Sequence, residues 1–156
     1  MTSISSPLTD DAQKIVGSAL QDALVDLLDL SLVGKQAHWT LVGKQFRSIH
    51  LQLDEVVDAA REYSDTVAER AAAVGFPPDG SARAITQGSG VPQLSGGWQR
   101  DADVVAHFVA ALKSVIERMR ERISVTDEPD PVSQDLFIQI TAVLEKQYWM
   151  FQAEQA

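Results

Sequence analysis

The sequence predicts an all-α fold, four long helices packed as a bundle with one long connection between the second and third. Three observations predict it. Apolar residues recur at three- and four-residue spacing through four separate segments of roughly 25 residues. No alternation of the kind a half-buried strand needs survives beyond a few residues. Between the second and third segments, residues 75–97 hold six of the nine glycines and three of the six prolines, a composition that interrupts helices.

The first helix is expected over about residues 9–39. Asp10 and Gln13 have capping-box spacing, and Ile15, Ala19, Leu20, Ala23, Leu24, Leu27 and Leu28 form a broad apolar stripe. The second follows Gly43 and runs over about 44–74, with Ile49, Leu53, Val56, Val57, Ala60 and Val67 on one side. Gly75-Phe76-Pro77-Pro78 stops it. Residues 75–98 read as a crossover connection with room for one short helical turn. The third helix, about 99–125, keeps the period through Val104, Phe108, Leu112, Val115, Met119 and Ile123, until Thr126–Pro131 breaks it. The fourth, about 130–154, opens with Asp130 as N-cap and Pro131 at the first helical position. Leu136, Ile140, Val143, Leu144, Tyr148 and Phe151 supply its apolar face.

At 1.5 Å per residue each helix is roughly 35–40 Å long. The short joints make helices one and two antiparallel, and likewise three and four. The crossover is long enough to run the length of the bundle, and one such crossover marks the ferritin-like arrangement. Residues 1–156 read as a single domain of this kind, large enough for its own core.

Composition narrows the function. The formal charge of −9 opposes non-specific attraction to nucleic acid and favours attraction of cations. Without cysteine there is neither a disulfide framework nor a thiolate metal site. The opening residues lack a basic stretch followed by an apolar one, and no apolar run reaches 18 residues. The expectation is a cytoplasmic protein with no membrane partner.

Two of the three histidines, His38 and His50, flank the first interhelical turn. Neither these nor His107 has Glu three residues earlier. Lys35, Arg47 and Val104 stand there, so the Glu-x-x-His pairs of many di-iron bundles are absent. The second helix offers other donors. His50 and Asp54 are spaced i, i+4, as are Asp65 and Glu69. Eleven residues separate the two aspartates, close to three turns, so both pairs lie on nearly one side but roughly 16 Å apart. Metal–ligand bonds are about 2 Å long, so one helix cannot bring both pairs to one ion. Two copies of the helix, antiparallel across a two-fold axis, can. His38, His50 and Asp54 of one chain then meet Asp65 and Glu69 of the other, giving two identical sites per dimer. Imidazole with carboxylate and no thiolate suits iron, and does not exclude zinc or another divalent ion. The competing reading is a solvated helix surface on which Arg61 and Arg70 pair with the acids.

The stretch KQAHWTLVGKQFRSIHLQLDEVVDAAREYSDTVAER, residues 35–70, closely resembles the signature of the Dps family of mini-ferritins. The pattern is His-Trp, a glycine soon after, a phenylalanine, His-x-x-x-Asp, then Asp-x-x-x-Glu-Arg. The four-helix layout, the long middle connection and the aromatic ending EKQYWMFQAE, residues 145–154, extend the likeness over nearly the whole chain. The resemblance implies that His38, His50 and Asp54 are ferroxidase ligands of one subunit, with Asp65 and Glu69 supplied by its two-fold neighbour. It also implies a hollow dodecamer that binds two irons at each site and oxidises Fe(II) with hydrogen peroxide or dioxygen. The ferric mineral would be stored inside, and DNA would be protected from oxidative damage. Trp39 matches a family position beside that centre, where it intercepts radicals or packs, packing being the reading adopted. Asp127, Asp130 and Asp135 resemble acidic positions lining three-fold pores for iron entry, although acids near a helix start also cap it and favour its dipole.

Some members of that family bind DNA through basic tails. Neither end of this chain carries one, and in the run KSVIERMRERI the acids Glu117 and Glu121 interleave with Arg118, Arg120 and Arg122. A solvated, salt-bridged surface and weak or absent direct DNA binding are expected. The alternative is a nucleoid-associated, DNA-binding structural protein with little iron chemistry.

Overall fold

In the computed structural model, residues 4–156 are described, and the first three residues of the expected domain lie outside them. The elements are α1 (Asp10–Thr40), β1 (Leu41–Val42), α2 (Phe46–Ala73), α3 (Ala82–Gly88), β2 (Gln99–Arg100), α4 (Asp101–Thr126) and α5 (Pro131–Ala153). The all-α, ferritin-like bundle expected from the sequence is the fold observed. Among the described residues, no helix is long and apolar enough to cross a membrane.

Side-chain hydrogen bonds trace the path of the crossover. α2 descends beside α1 and ends near its start, where the Gln13 amide donates to the carbonyls of Val74 and Gly75. The chain then climbs along α1. Gln21 brackets Asp79, Asp26 accepts from the Gly90 amide, and Asp29 accepts from Gln93. The climb ends where β2 pairs in parallel with β1, Leu41 opposite Gln99 and Val42 opposite Arg100. α4 starts there, and α5 returns from the far end. The connection therefore does run the bundle lengthwise, and α2 and α4 point the same way.

The core is the convergence of the apolar stripes, with Leu20, Leu27, Leu30, Leu53, Phe108, Leu112, Met119, Phe137, Ile140 and Phe151 fully buried. Phe108 and Phe151 stack with ring centroids 5.4 Å apart, locking α4 to α5.

Four local expectations need correction. The cap of α1 is Thr9, whose hydroxyl accepts from the Ala12 amide. Gln13 is drawn away from a capping box by the orphan carbonyls at the end of α2. Ile15 is 46% exposed, at the edge of the stripe rather than in it. α4 begins at Asp101, because residues 99 and 100 are held extended by β1. Finally, Arg118 and Arg122 do not form a solvated surface. Both donate to Asp26, fully buried on α1, at 2.8 and 2.6 Å. Arg120, with its Nε 2.7 Å from Glu145, is the exposed member of the run.

Gly43 makes the α1–α2 turn. Its φ of 142° is a region that L side chains rarely adopt, and the Asp101 carboxylate fills the space that a Cβ would need. Asp101 accepts there from the Gln45 amide, pinning the turn to the start of α4. That pinned turn sets His38 opposite His50.

Candidate metal centre

His38 sits in the last turn of α1 and His50 in the second turn of α2. With only five residues between these helices, the two imidazoles stack, centroids 3.5 Å apart and planes 21° from parallel. Each ring Nδ1 lies 3.0 Å from the backbone carbonyl of the other histidine. A carbonyl only accepts, so each Nδ1 carries a proton, and in the neutral ring Nε2 keeps its lone pair. The His38 carbonyl belongs to the last turn of α1, whose acceptors have no partner within the helix, and the His50 ring satisfies it. This is how metal-ligating histidines are usually held: one nitrogen fixed by hydrogen bonding, the other free to ligate. Phe46 flanks the His50 ring with centroids 4.8 Å apart.

Asp54 lies one turn further along α2. Its Oδ1 is 2.6 Å from Lys35 Nζ and 3.2 Å from His38 Nδ1. The Lys35 hydrogen bond holds the carboxyl below its ordinary range. Burial opposes that shift, and His38, the Lys35 charge and His50 add to it. Lys35 is the member of the site that the sequence reading passed over, noting it only as a missing glutamate. Its spacing from His38 was legible, but its meeting with Asp54 depends on the register of α1 against α2.

Asp65 and Glu69 are both exposed further down α2, and neither enters an ion pair among the described residues. Arg70, a candidate to neutralise them, turns instead to Asp130 at 2.6 Å, and among the described residues Arg61 makes no ion pair. One chain thus brings His38, His50 and Asp54 together and keeps Asp65 and Glu69 apart from them. Among the described residues, no three His, Asp or Glu side chains of the single chain are placed to hold a metal.

The remaining sequence candidates are placed as follows. Trp39 is 66% exposed and forms one wall of a groove between α1 and α3, with Leu32, Gln36, Ile85 and Leu94, rather than entering the core. Asp130 is buried as the N-cap of α5, accepting from Val132, Ser133 and Arg70. Asp127 and Asp135 are exposed and accept from Gln134 and Gln139. His107, partly buried, donates from Nε2 to the Pro92 carbonyl at 3.1 Å. Burial lowers its pKa against the opposing effect of that bond.

A ferritin-like domain profile matches residues 17–155. The DNA protection during starvation protein of Mycolicibacterium smegmatis is 36% identical over 158 residues, covering 98% of this chain and 84% of that protein. The chain belongs to the Dps family. Its Dps relatives include DNA protection during starvation protein 2 of Deinococcus radiodurans, 32% identical over 152 residues. That match covers 97% of this chain, which spans 63% of the relative's length. Among solved structures, the Dps of Microbacterium arborescens in its high iron form superposes with a TM-score of 0.91 at 28% identity, covering 97% of this chain and 98% of that one. The stacked histidines, Asp54 and the exposed Asp65 and Glu69 of α2 are therefore carried on a Dps-family bundle.

Proposed function

We propose that this protein binds Fe(II) as substrate at sites shared between two chains, oxidises it, and stores the ferric product inside a hollow dodecameric shell in the cytoplasm. The observation that carries the reading is the pair of imidazoles with Nδ1 fixed by a carbonyl, beside an ionised Asp54, on a helix whose Asp65 and Glu69 are exposed and enter no ion pair among the described residues. Membership of the family supports iron handling and DNA protection in general, and the Microbacterium relative is a Dps with a high iron form. Nitrogen and oxygen donors without thiolate fit ferrous iron.

In this reading His38, His50 and Asp54 of one chain and Asp65 and Glu69 of its neighbour hold the ferrous ions. Two Fe(II) give one electron each, and one hydrogen peroxide takes both with two protons and leaves as two waters. Dioxygen is the alternative oxidant. Peroxide is consumed without ferrous iron free to make hydroxyl radicals, which protects DNA. Asp127 and Asp135, being exposed, are the carboxylates left to line an entry pore, since Asp130 is committed to Arg70 and Ser133.

The test uses two inactive variants, His50→Ala and Asp65→Ala. Each alone is expected to lose most peroxide-driven Fe(II) oxidation, roughly 100-fold or more, as for loss of a metal ligand or its support. Mixed and allowed to exchange subunits, they form heterodimers with one intact and one doubly broken site. About half the site activity of wild type returns in those dimers. Single variants that oxidise iron at the wild-type rate remove the catalytic reading, and verified exchange without recovery removes the shared site.

A further inference from the structure

Between the first half of α1 and the last turns of α4 lies an open pocket of about 530 Å³, at the other end of α1 from the histidines. Its floor carries an excess of positive charge. Arg118 and Arg122 both line it, and both donate to the one buried carboxylate of Asp26, at 2.8 and 2.6 Å, so two guanidiniums share a single anion. Arg122 is 6% exposed. Beyond Asp26 its guanidinium meets only the Met119 sulfur, a weak acceptor 3.6 Å away, among the described residues. A guanidinium has five N–H groups to place, and a buried one with so few partners favours an oxyanion that accepts from the rest. The rim is of opposite sign. Asp22 and Glu121 line the pocket, are exposed, and enter no ion pair among the described residues. Their charges reach Arg118, whose pKa is raised first by its bond to Asp26, then, against burial, by the charges of Asp26, Asp22 and Glu121. A plain anion over this floor would be repelled by the rim, whereas a ligand carrying an anion and a cation side by side meets both. The far end is apolar. Ile15 and the exposed Val125 form it, with Ile15 about 10 Å along α1 from Asp22. Lys14, also at that end, opposes a positively charged tail.

We infer that this pocket binds a free α-amino acid with an apolar side chain. The carboxylate sits on the Arg118 and Arg122 guanidiniums, the ammonium between Asp22 and Glu121, and the side chain against Ile15 and Val125. The site is independent of the metal centre and stands whether or not iron is oxidised there. Each part of the ligand answers one part of the pocket: the excess buried cation, the unpaired rim acids, and the exposed apolar surface that water leaves poorly solvated.

The test is calorimetric titration of the full chain with L-leucine, in a buffer free of carboxylate and phosphate. Wild type is expected to bind it saturably, one per chain. N-acetyl-L-leucine lacks the ammonium and L-leucinamide lacks the carboxylate, and each should bind about tenfold or more weakly, as for loss of one charge-assisted hydrogen bond. L-lysine should also bind more weakly than leucine. Two variants leave the buried Asp26 cluster untouched. Val125→Trp fills the apolar end from an exposed position and should abolish binding. Asp22→Asn combined with Glu121→Gln should bring leucine down to the level of its N-acetyl derivative. Circular dichroism confirms the helices of both. No saturable leucine binding by wild type overturns the inference. So does equal binding of leucine, its N-acetyl derivative and its amide, or unchanged leucine binding in a folded Val125→Trp variant.

Discussion

The Asp130 carboxylate accepts from the Val132 and Ser133 amides, the Ser133 hydroxyl and the Arg70 guanidinium. It caps α5 and ties the end of α2 to the start of α5. Burial pushes its pKa up, but the hydrogen bonds from Ser133 and Arg70 outweigh burial and leave it lowered. The sign follows from linkage. With a folded value below the unfolded one, near 3.9, the unfolded chain takes the proton first as pH falls. The stabilisation is therefore complete above about pH 4 and is lost as pH drops through the folded value. Asp130→Asn keeps a cap oxygen and loses the charge. It should cost about 1–2 kcal/mol at pH 7, with the gap to wild type closing below about pH 4. Thermal unfolding by circular dichroism at several pH values measures this. A gap that stays constant from pH 7 to pH 3 would show that the charge contributes nothing.

At the scale of elements, the four long helices were readable because burial imposes its period on the sequence. Val104, Phe108, Leu112, Val115 and Met119 are all buried where that period puts them. The i, i+4 pairs on α2 were readable for the same reason, since spacing alone fixes the face. What needed the structure were contacts between elements distant in sequence. Arg118 and Arg122 lie among acids on α4, which suggests local pairing, yet both turn to Asp26. A trace of this was present in LVDLLDLSLV, residues 24–33, where an aspartate interrupts an apolar run and must find a partner if buried. Asp26 also accepts from the Gly90 amide, so it fastens the crossover to the bundle. Asp26→Ala leaves the buried Arg122 without its counter-charge and should destabilise by about 3–5 kcal/mol. Amide exchange near Gly90 should quicken in the same variant. Adding Arg122→Met should recover part of the stability. A loss under about 1 kcal/mol, or unchanged exchange at Gly90, would mean that the crossover is held by other contacts.

For the whole molecule, net charge sorts the partners it attracts from those it repels. Each chain carries −9, and six of its thirteen Lys and Arg side chains are already engaged with carboxylates: Lys35, Arg70, Lys113, Arg118, Arg120 and Arg122. DNA affinity rests largely on basic side chains releasing counterions from phosphates, and here thirteen basic side chains face 22 acidic ones. An assembly of twelve such chains would carry on the order of −100 charges, a field that draws ferrous ions inward and repels a polyanion. In the proposed reading, attraction for the substrate and repulsion from DNA would have one cause, and protection would work by removing iron and peroxide rather than by covering the duplex. The expected outcome in a gel shift with linear duplex DNA at about 0.15 M salt is no retarded band at micromolar protein. Lowering the salt should not produce one, because weaker screening lengthens the repulsion. Peroxide with Fe(II) should still leave the DNA uncut when the protein is present. A retarded band that strengthens as salt falls would mean that a basic surface outweighs the net charge. Cleavage unchanged by the protein would separate this chain from iron detoxification.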